Sequence, residues 1–155
     1  MTGKRTRIIP AQTSHLDAVT ALEALTFPED AISKRSFRRF IESSTADFHV
    51  LVADARVIGY TVVLYRNNTN LARLYALVVD ESCRSRVYGR SLLQTAEELA
   101  DKRHSLFLRT EVATSNTVAQ QLMNSEGFRA IELREAYFPP SSSQSTDALV
   151  LQKLL

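Results

Sequence analysis

The stretch from Leu71 to Phe128 constrains the fold of this chain more than any other part. It reads as a strand, a polar loop, a helix, a second strand, and a second helix closing on Gly127-Phe128. The loop is Asp80-Glu81-Ser82-Cys83-Arg84-Ser85-Arg86-Val87-Tyr88-Gly89, and the helical pattern follows from Arg90 to Ala100. A loop that opens straight into a helix aims several backbone N–H groups at one point, and the helix dipole adds positive potential there. This makes an anion site out of main chain, suited to a pyrophosphate.

The flanking sequence extends the pattern. Arg7 to Ala11 reads as a short opening strand. A first helix is expected from about Thr13-Ser14, with Ser14 and Asp17 spaced as a capping box and Leu16, Ala18, Val19 and Leu22 on its buried face. Phe27-Pro28 ends it. A second helix starts at Ser33, with Phe37, Phe40 and Ile41 on one face and Lys34, Arg35, Arg38 and Arg39 on the others. Phe48–Ala53 and Val57–Arg66 read as a hairpin about Asp54-Ala55-Arg56. After the loop, a helix is expected over Gly89–Arg103, a strand over Leu106–Val112 and a helix over Asn116–Glu126. A strand over Phe128–Phe138 follows, then Pro139-Pro140 and a serine-rich segment, then a last strand over Asp147–Leu154.

These elements resemble the GNAT superfamily of N-acetyltransferases, and within it the ribosomal-protein alanine N-acetyltransferase group. The family's acyl-coenzyme A loop reads Gln/Arg-x-x-Gly-x-Gly/Ala. Arg84-Ser85-Arg86-Val87-Tyr88-Gly89 matches at Arg84 and Gly89 and carries Val87 in place of the first glycine. Leu74–Asp80 resembles the strand entering that loop, and Gly59 resembles the glycine of the family's third strand. Glu111-Val112-Ala113-Thr114-Ser115-Asn116, with Ala119, Leu122 and Gly127-Phe128, resembles the second motif. The likeness covers roughly Arg7 to Leu155. It implies an α/β fold of α+β type over one domain, residues 1–155. The expected sheet is mixed, mostly antiparallel and seven-stranded, with about four helices and a splay between strands four and five.

The resemblance also implies the chemistry. Acetyl-CoA is the expected acetyl donor. Its phosphates would meet the backbone from Arg84 through Ser85, Arg86, Val87 and Tyr88 to Gly89, and its pantetheine arm the main chain of Leu77 and Val79. Asn116 falls near that arm, although asparagine is equally an ordinary helix N-cap. Val87 gives up the close approach and positive φ that glycine allows. The substitution strains the loop if φ there is positive and is nearly free if φ is negative.

The acceptor amine must lose a proton. An α-amino group with pKa near 8 is roughly one-tenth neutral at pH 7, and a lysine far less. Glu111 falls where the family group has its candidate base; the competing role is an ion pair with Arg109 on the same strand face. The departing thiolate needs an acid. The family commonly has a tyrosine before Gly-Phe, but Met123 stands there and cannot donate a proton. Tyr137, in a segment resembling the group's Tyr-Tyr-Pro with Phe138 in second place, either supplies that proton or packs at the strand end. Tyr88 is expected to cover the coenzyme.

Bulk properties narrow the alternatives. A chain of 155 residues, 45% hydrophobic, can bury a core. Its 19 basic and 17 acidic residues balance to +2, too even to predict a nucleic-acid partner. The apolar runs are too short for a membrane span, and no signal-peptide pattern follows Met1. Cys83 is the only cysteine, and the three histidines lie on separate elements, so neither a disulfide framework nor a metal site is expected. A soluble, cytoplasmic protein is expected, as a monomer or a homodimer. The expected acceptor is a peptide N-terminus or a small amine; the loss of glycine at Val87 and tyrosine at Met123 leaves open a non-catalytic coenzyme A binder.

Overall fold

The computed structural model describes residues 5–83, 86–141 and 144–155, with Arg86 described by its backbone alone. Over these residues the elements run β1 (Thr6–Pro10), a 3-10 turn (Thr13–His15), α1 (Leu16–Thr26), α2 (Lys34–Glu42), β2 (Ala46–Ala53), β3 (Arg56–Tyr65) and β4 (Leu71–Val79). A second 3-10 turn (Glu81–Cys83) leads to α3 (Arg86–Lys102), β5 (Phe107–Ala113), α4 (Thr117–Ser125), β6 (Arg129–Arg134) and β7 (Ala148–Leu154).

The seven strands form one sheet in the order β1-β2-β3-β4-β5-β7-β6. β1 to β4 are antiparallel neighbours, as are β5, β7 and β6, while β4 and β5 run parallel. The hairpin from β2 to β3 turns through Asp54 and Ala55, both with positive φ, the handedness that two-residue hairpin loops favour. β3 is central and covered on both faces, so Ile58 to Val63 are buried without alternation. Within it, a Cβ at Gly59 would lie 2.7 Å from the carbonyl oxygen of Val78, so only glycine lets β3 and β4 approach this closely.

Each face of the sheet carries its own core. α1 and α2 pack Leu16, Val19, Leu22 and Phe37 against Phe48, Val50, Tyr60 and Val62 on one face. α3 and α4 pack Leu93, Ala96, Ala100 and Met123 against Leu74, Leu108, Val112 and Leu151 on the other.

The defining feature is the junction of the two halves. β4 and β5 are paired only at Leu71–Phe107, Ala72–Leu108 and Arg73–Arg109. Past that rung the Thr110 hydroxyl donates to the Leu74 carbonyl at 3.0 Å, and the strands then part. β4 bulges where they separate: Val62 pairs with Ala76 and Val63 with Leu74, leaving Tyr75 as the extra residue. β5 turns its remaining edge to β7, with which it pairs from Phe107 through Ala113.

Several local expectations are corrected. α1 is opened by the 3-10 turn, whose start is closed by Gln12 N–H donating to His15 Nδ1 at 3.0 Å, rather than by a Ser14–Asp17 box. Ala18 is exposed, and Glu23 takes a buried place in that helix instead. α3 begins at Arg86, three residues earlier than expected, so Val87, Tyr88 and Gly89 belong to its first turn. β6 stops at Arg134, because Ala136 adopts a positive φ and turns the chain, which places Tyr137 and Phe138 beyond the strand.

Candidate active site

Where β4 and β5 part, a cleft of about 740 Å³ opens. One wall is Leu77, Val78 and Val79 of β4; the other is Ser115, Asn116 and the Val118–Met123 side of α4. Gly89 closes the α3 end, and Thr26 and Phe27 from the end of α1 reach the opposite mouth. The cleft exists because the β4–β5 ladder stops while α3 and α4 hold the separated strands apart. Arg90 and Gln94 on α3 both reach Glu126 at the end of α4, at 3.3 and 3.4 Å. A Cβ on Gly89 would stand 3.3 Å from Leu122, so glycine lets α3 come this near α4.

Four of the residues singled out for coenzyme binding therefore line one cleft: Leu77, Val79, Gly89 and Asn116. Arg84 and Ser85 lie outside the described residues. Val87 is helical, is absent from the positive-φ residues, and is 63% exposed, so it carries no backbone strain. Asn116 is the N-cap of α4, its side-chain oxygen accepting from Ala119 N–H at 3.1 Å while the residue faces the cleft. Tyr88 is half-buried and, like Cys83, packs against Leu51, Ile58 and Leu92.

The other face of the same strands holds a charged cluster. Along β5, Leu108, Thr110 and Val112 are buried toward α3, so alternation turns Arg109 and Glu111 to the α1–α2 face. Arg73, at the last paired rung, points the same way. Its Nε donates to Glu111 Oε2 at 3.1 Å and its Nη2 to the Tyr137 hydroxyl oxygen at 2.5 Å. Arg134 adds an ion pair to Glu111 Oε1 at 3.6 Å, leaving the carboxylate side chain only 8% exposed. The expected partner Arg109 instead donates through Nε and Nη2 to Gln152.

The electrostatics of this cluster are asymmetric. Burial first, then the negative charge of Glu111, pushes the Tyr137 phenol above its usual range. Its oxygen accepts from Arg73, so its own O–H remains able to donate elsewhere. Arg73 also lies over the Tyr75 ring at 5.2 Å, and Phe40 of α2 meets that ring edge-on at 5.6 Å. Glu111 and Tyr137 do not border the cleft's described lining. Sequence reading missed Arg73, Tyr75 and Arg134. The available signal was the alternation of Ala72 and Leu74 with Arg73, a charge on a strand otherwise apolar.

Met123 is buried in the α3–α4 core and reaches the cleft wall. Among the described residues no group of three or more His, Cys, Asp or Glu could hold a metal ion, and no helix is long and apolar enough to cross a membrane.

Comparison with known proteins agrees with this architecture. A family model described as an acetyltransferase (GNAT) domain matches residues 15–137. The [ribosomal protein bS18]-alanine N-acetyltransferase of Haemophilus ducreyi is 32% identical over 80 residues, which is 52% of this chain and 55% of that protein. The match thus spans about half the length of that curated relative. The ribosomal-protein-S18-alanine N-acetyltransferase structure from Escherichia coli superposes with a TM-score of 0.84 at 22% identity, covering 97% of this chain and 94% of that one. Ard1 from Thermoplasma volcanium gives 0.83 at 21%, covering 97% of each chain. The PaiA N-acetyltransferase from Thermoplasma acidophilum, solved in complex with coenzyme A, gives 0.78 at 18%, covering 97% and 99%.

Proposed function

The chain belongs to the GNAT family of acetyltransferases, and from that premise we propose that it moves an acetyl group from acetyl-CoA to a primary amine, with a protein or peptide N-terminus as acceptor. The observation that carries the reading is the abrupt end of the β4–β5 ladder at Arg73, which opens a cleft, uncharged among the described residues, ending at the first turn of α3. A long, narrow donor with an anionic head fits such a space. The apolar wall of Leu77, Ala119 and Leu122 suits a flexible arm, and the N–H groups at the start of α3 suit phosphate.

The protein's own groups then divide the work. The β4 wall holds the thioester arm in extended pairing, and a main-chain N–H at the Tyr75 bulge orients its carbonyl oxygen. Such a preorganised donor contributes a few kcal/mol to the barrier. The amine approaches from the face that carries Arg73, Tyr75 and Glu111. Glu111 takes a proton from the ammonium, directly or through water. The freed nitrogen lone pair forms the C–N bond, the C–S bond breaks, and the sulfur keeps its electron pair. Tyr137 then gives its proton to that thiolate and regains one through water from the nitrogen, which must shed a second proton to become the amide. Arg73 meanwhile fixes the phenol oxygen and the Glu111 carboxylate in one frame.

A small-molecule amine is the other enzymatic acceptor. One observation favours a second reading, a coenzyme A binder without catalysis: the buried methionine at position 123, where the family commonly has its tyrosine. Incubation with acetyl-CoA and a panel of free-N-terminal peptides, lysine peptides and polyamines, read by mass spectrometry of the acetylated position, separates the three. Acetylation of α-amines supports the proposal, and modification of polyamines alone moves the acceptor to small molecules. Tight acetyl-CoA binding with no turnover on the whole panel establishes the non-catalytic reading.

A further inference from the structure

α2 is charged against its own interests. Lys34, Arg35, Arg38 and Arg39 make four of its nine residues cationic, and no acid stands in its first turn. Lys34 and Arg35 open the helix, where the dipole is positive and disfavours cations. The spacings Lys34–Arg38 and Arg35–Arg39 place like charges one turn apart, which also disfavours the helix. Lys34 pairs with Asp17 at 2.7 Å, and Arg38 stands near enough to that carboxylate to stabilise its charge as well. Among the described residues Arg35, Arg38 and Arg39 form no ion pair; all three are exposed, and Arg39 has only a long contact to Ser36 Oγ at 3.5 Å. Helix stability does not account for this arrangement.

Its position does. Lys34 fixes one flank of α2 to α1, and Phe40 fixes the other flank to Tyr75. Arg39 lines one groove together with Phe40, so it stands on the flank of α2 that meets Tyr75 and, across that ring, Arg73. The groove runs along this flank, lined by Arg39, Phe40, Thr45, Leu64 and Tyr65, with Glu42 as its one acidic side chain among the described residues. Leu64 pairs across strands with Arg73, so the groove leads to the charged cluster. An extended chain advances ~3.3 Å per residue, so a handful of residues connects the two places.

We propose that the outer face of α2 docks an acidic polypeptide segment, so that the acceptor is a protein whose amine is followed within a few residues by aspartates or glutamates. This deepens the acetyltransferase reading and rests on it for the role of the amine. Bidentate guanidinium–carboxylate pairing gives the three arginines the direct ion pairs that they lack among the described residues.

The test compares peptides that share one N-terminus and continue with glutamates, neutral residues or lysines. For the wild type, kcat/KM is expected to fall at least about tenfold from the acidic to the neutral peptide, through KM, and the gap to shrink as salt rises. Replacing Arg35, Arg38 and Arg39 by glutamate is expected to reverse the order of acidic and lysine peptides, while replacement by lysine keeps it. An unchanged thermal shift with acetyl-CoA verifies that each variant is folded. Equal kcat/KM for the acidic and neutral peptides overturns the docking surface and leaves the activity standing. If no peptide is acetylated, fluorescence anisotropy of the labelled acidic peptide still decides. Binding that the glutamate variant abolishes supports the surface although the activity reading fails, and no binding overturns it. A single-stranded oligonucleotide of equal charge that binds more tightly than the acidic peptide also overturns it, in favour of a nucleic-acid face.

Discussion

The cleft between β4 and α4 and the charged cluster on the opposite face of the splayed strands are made of different material. The cleft is walled by main chain and by a mixture of apolar side chains and neutral polar ones such as Ser115, Gln121 and Gln144, with no charged group among the described residues. Gly89 stands at its α3 end, and the Asn116 side chain is turned to capping α4. The cluster is built from four side chains, Arg73, Glu111, Arg134 and Tyr137, brought from three separate regions of sequence. A site made of backbone depends on the path of the chain and tolerates changed side chains. A site made of side chains depends on each residue and its partners. Val87, in the first kind of region, is accommodated in helical conformation without strain; in the second kind, no single residue has a substitute.

That contrast predicts where substitutions hurt. The largest effect is expected at Glu111. Glu111→Gln should lower kcat/KM by about 10²–10⁴ with acetyl-CoA affinity unchanged. Full retention of activity would show that solvent or substrate removes the amine proton.

Smaller losses are expected at the residues that frame it. Tyr137→Phe should reduce kcat by about 10–10²-fold, because a thiolate leaves tolerably without an acid. Met123→Tyr, which returns a phenol to the cleft wall, should restore part of the loss. Arg73→Met should reduce kcat similarly and also lower the melting temperature, since a nearly buried carboxylate keeps only its 3.6 Å pair with Arg134. The pH dependence carries a definite sign. Burial and the charge of Glu111 raise the phenol's pKa, so Tyr137 stays protonated through neutral and mildly alkaline pH. Rates should then show no Tyr137-dependent fall between about pH 7 and 10, the unperturbed phenol value. A decline in that range present in the wild type and lost in Tyr137→Phe would contradict the assignment.

The least kinetic effect is expected in the cleft region. Val87→Gly should leave acetyl-CoA affinity within about threefold and destabilise α3 by only about 0.3 kcal/mol, because valine is itself a weak helix former and no strain is relieved. A large gain in affinity would mean that the backbone there is strained after all.

Stability offers a further comparison with the buried Glu23, which accepts from Ile32 N–H at 2.9 Å and from the Tyr60 hydroxyl. Burial raises its pKa in the folded state. The folded protein therefore holds this proton more tightly than the unfolded chain does. The stabilising contribution is full below the unfolded value and is lost as pH rises through the folded one. Thermal melts of wild type minus Glu23→Gln should follow that direction, and a difference independent of pH would contradict it.

Much of this was legible in the sequence for physical reasons. The strand–loop–helix unit and the helix closing on Gly127-Phe128 follow from periodicity and turn chemistry, which are local in the chain, while the parting of β4 and β5 was implied by the family likeness alone. The helix start at Arg86 was not legible, because Val87 and Tyr88 are read as loop until packing recruits them to α3. The Arg73–Glu111–Tyr137 frame was not legible either. Its bonds span 38 and 64 residues, and only the β4–β5 rung and the turn at Ala136 bring the three together. Sequence alone offered Arg109 as the ion-pair partner competing with a base role for Glu111; register gave Arg109 to Gln152 instead.

The central claim is that acetyl-CoA occupies the cleft opened by the β4–β5 splay, and the most direct measurement is isothermal titration of acetyl-CoA into wild type and Ala119→Trp. Ala119 lines the cleft from α4, so the indole fills the space proposed for the pantetheine arm. The account predicts one acetyl-CoA per wild-type chain, with a melting temperature that rises with ligand concentration by mass action. It predicts a folded Ala119→Trp protein that shows neither heat nor shift. Equal binding by both proteins, or none by the wild type at millimolar acetyl-CoA, would contradict it.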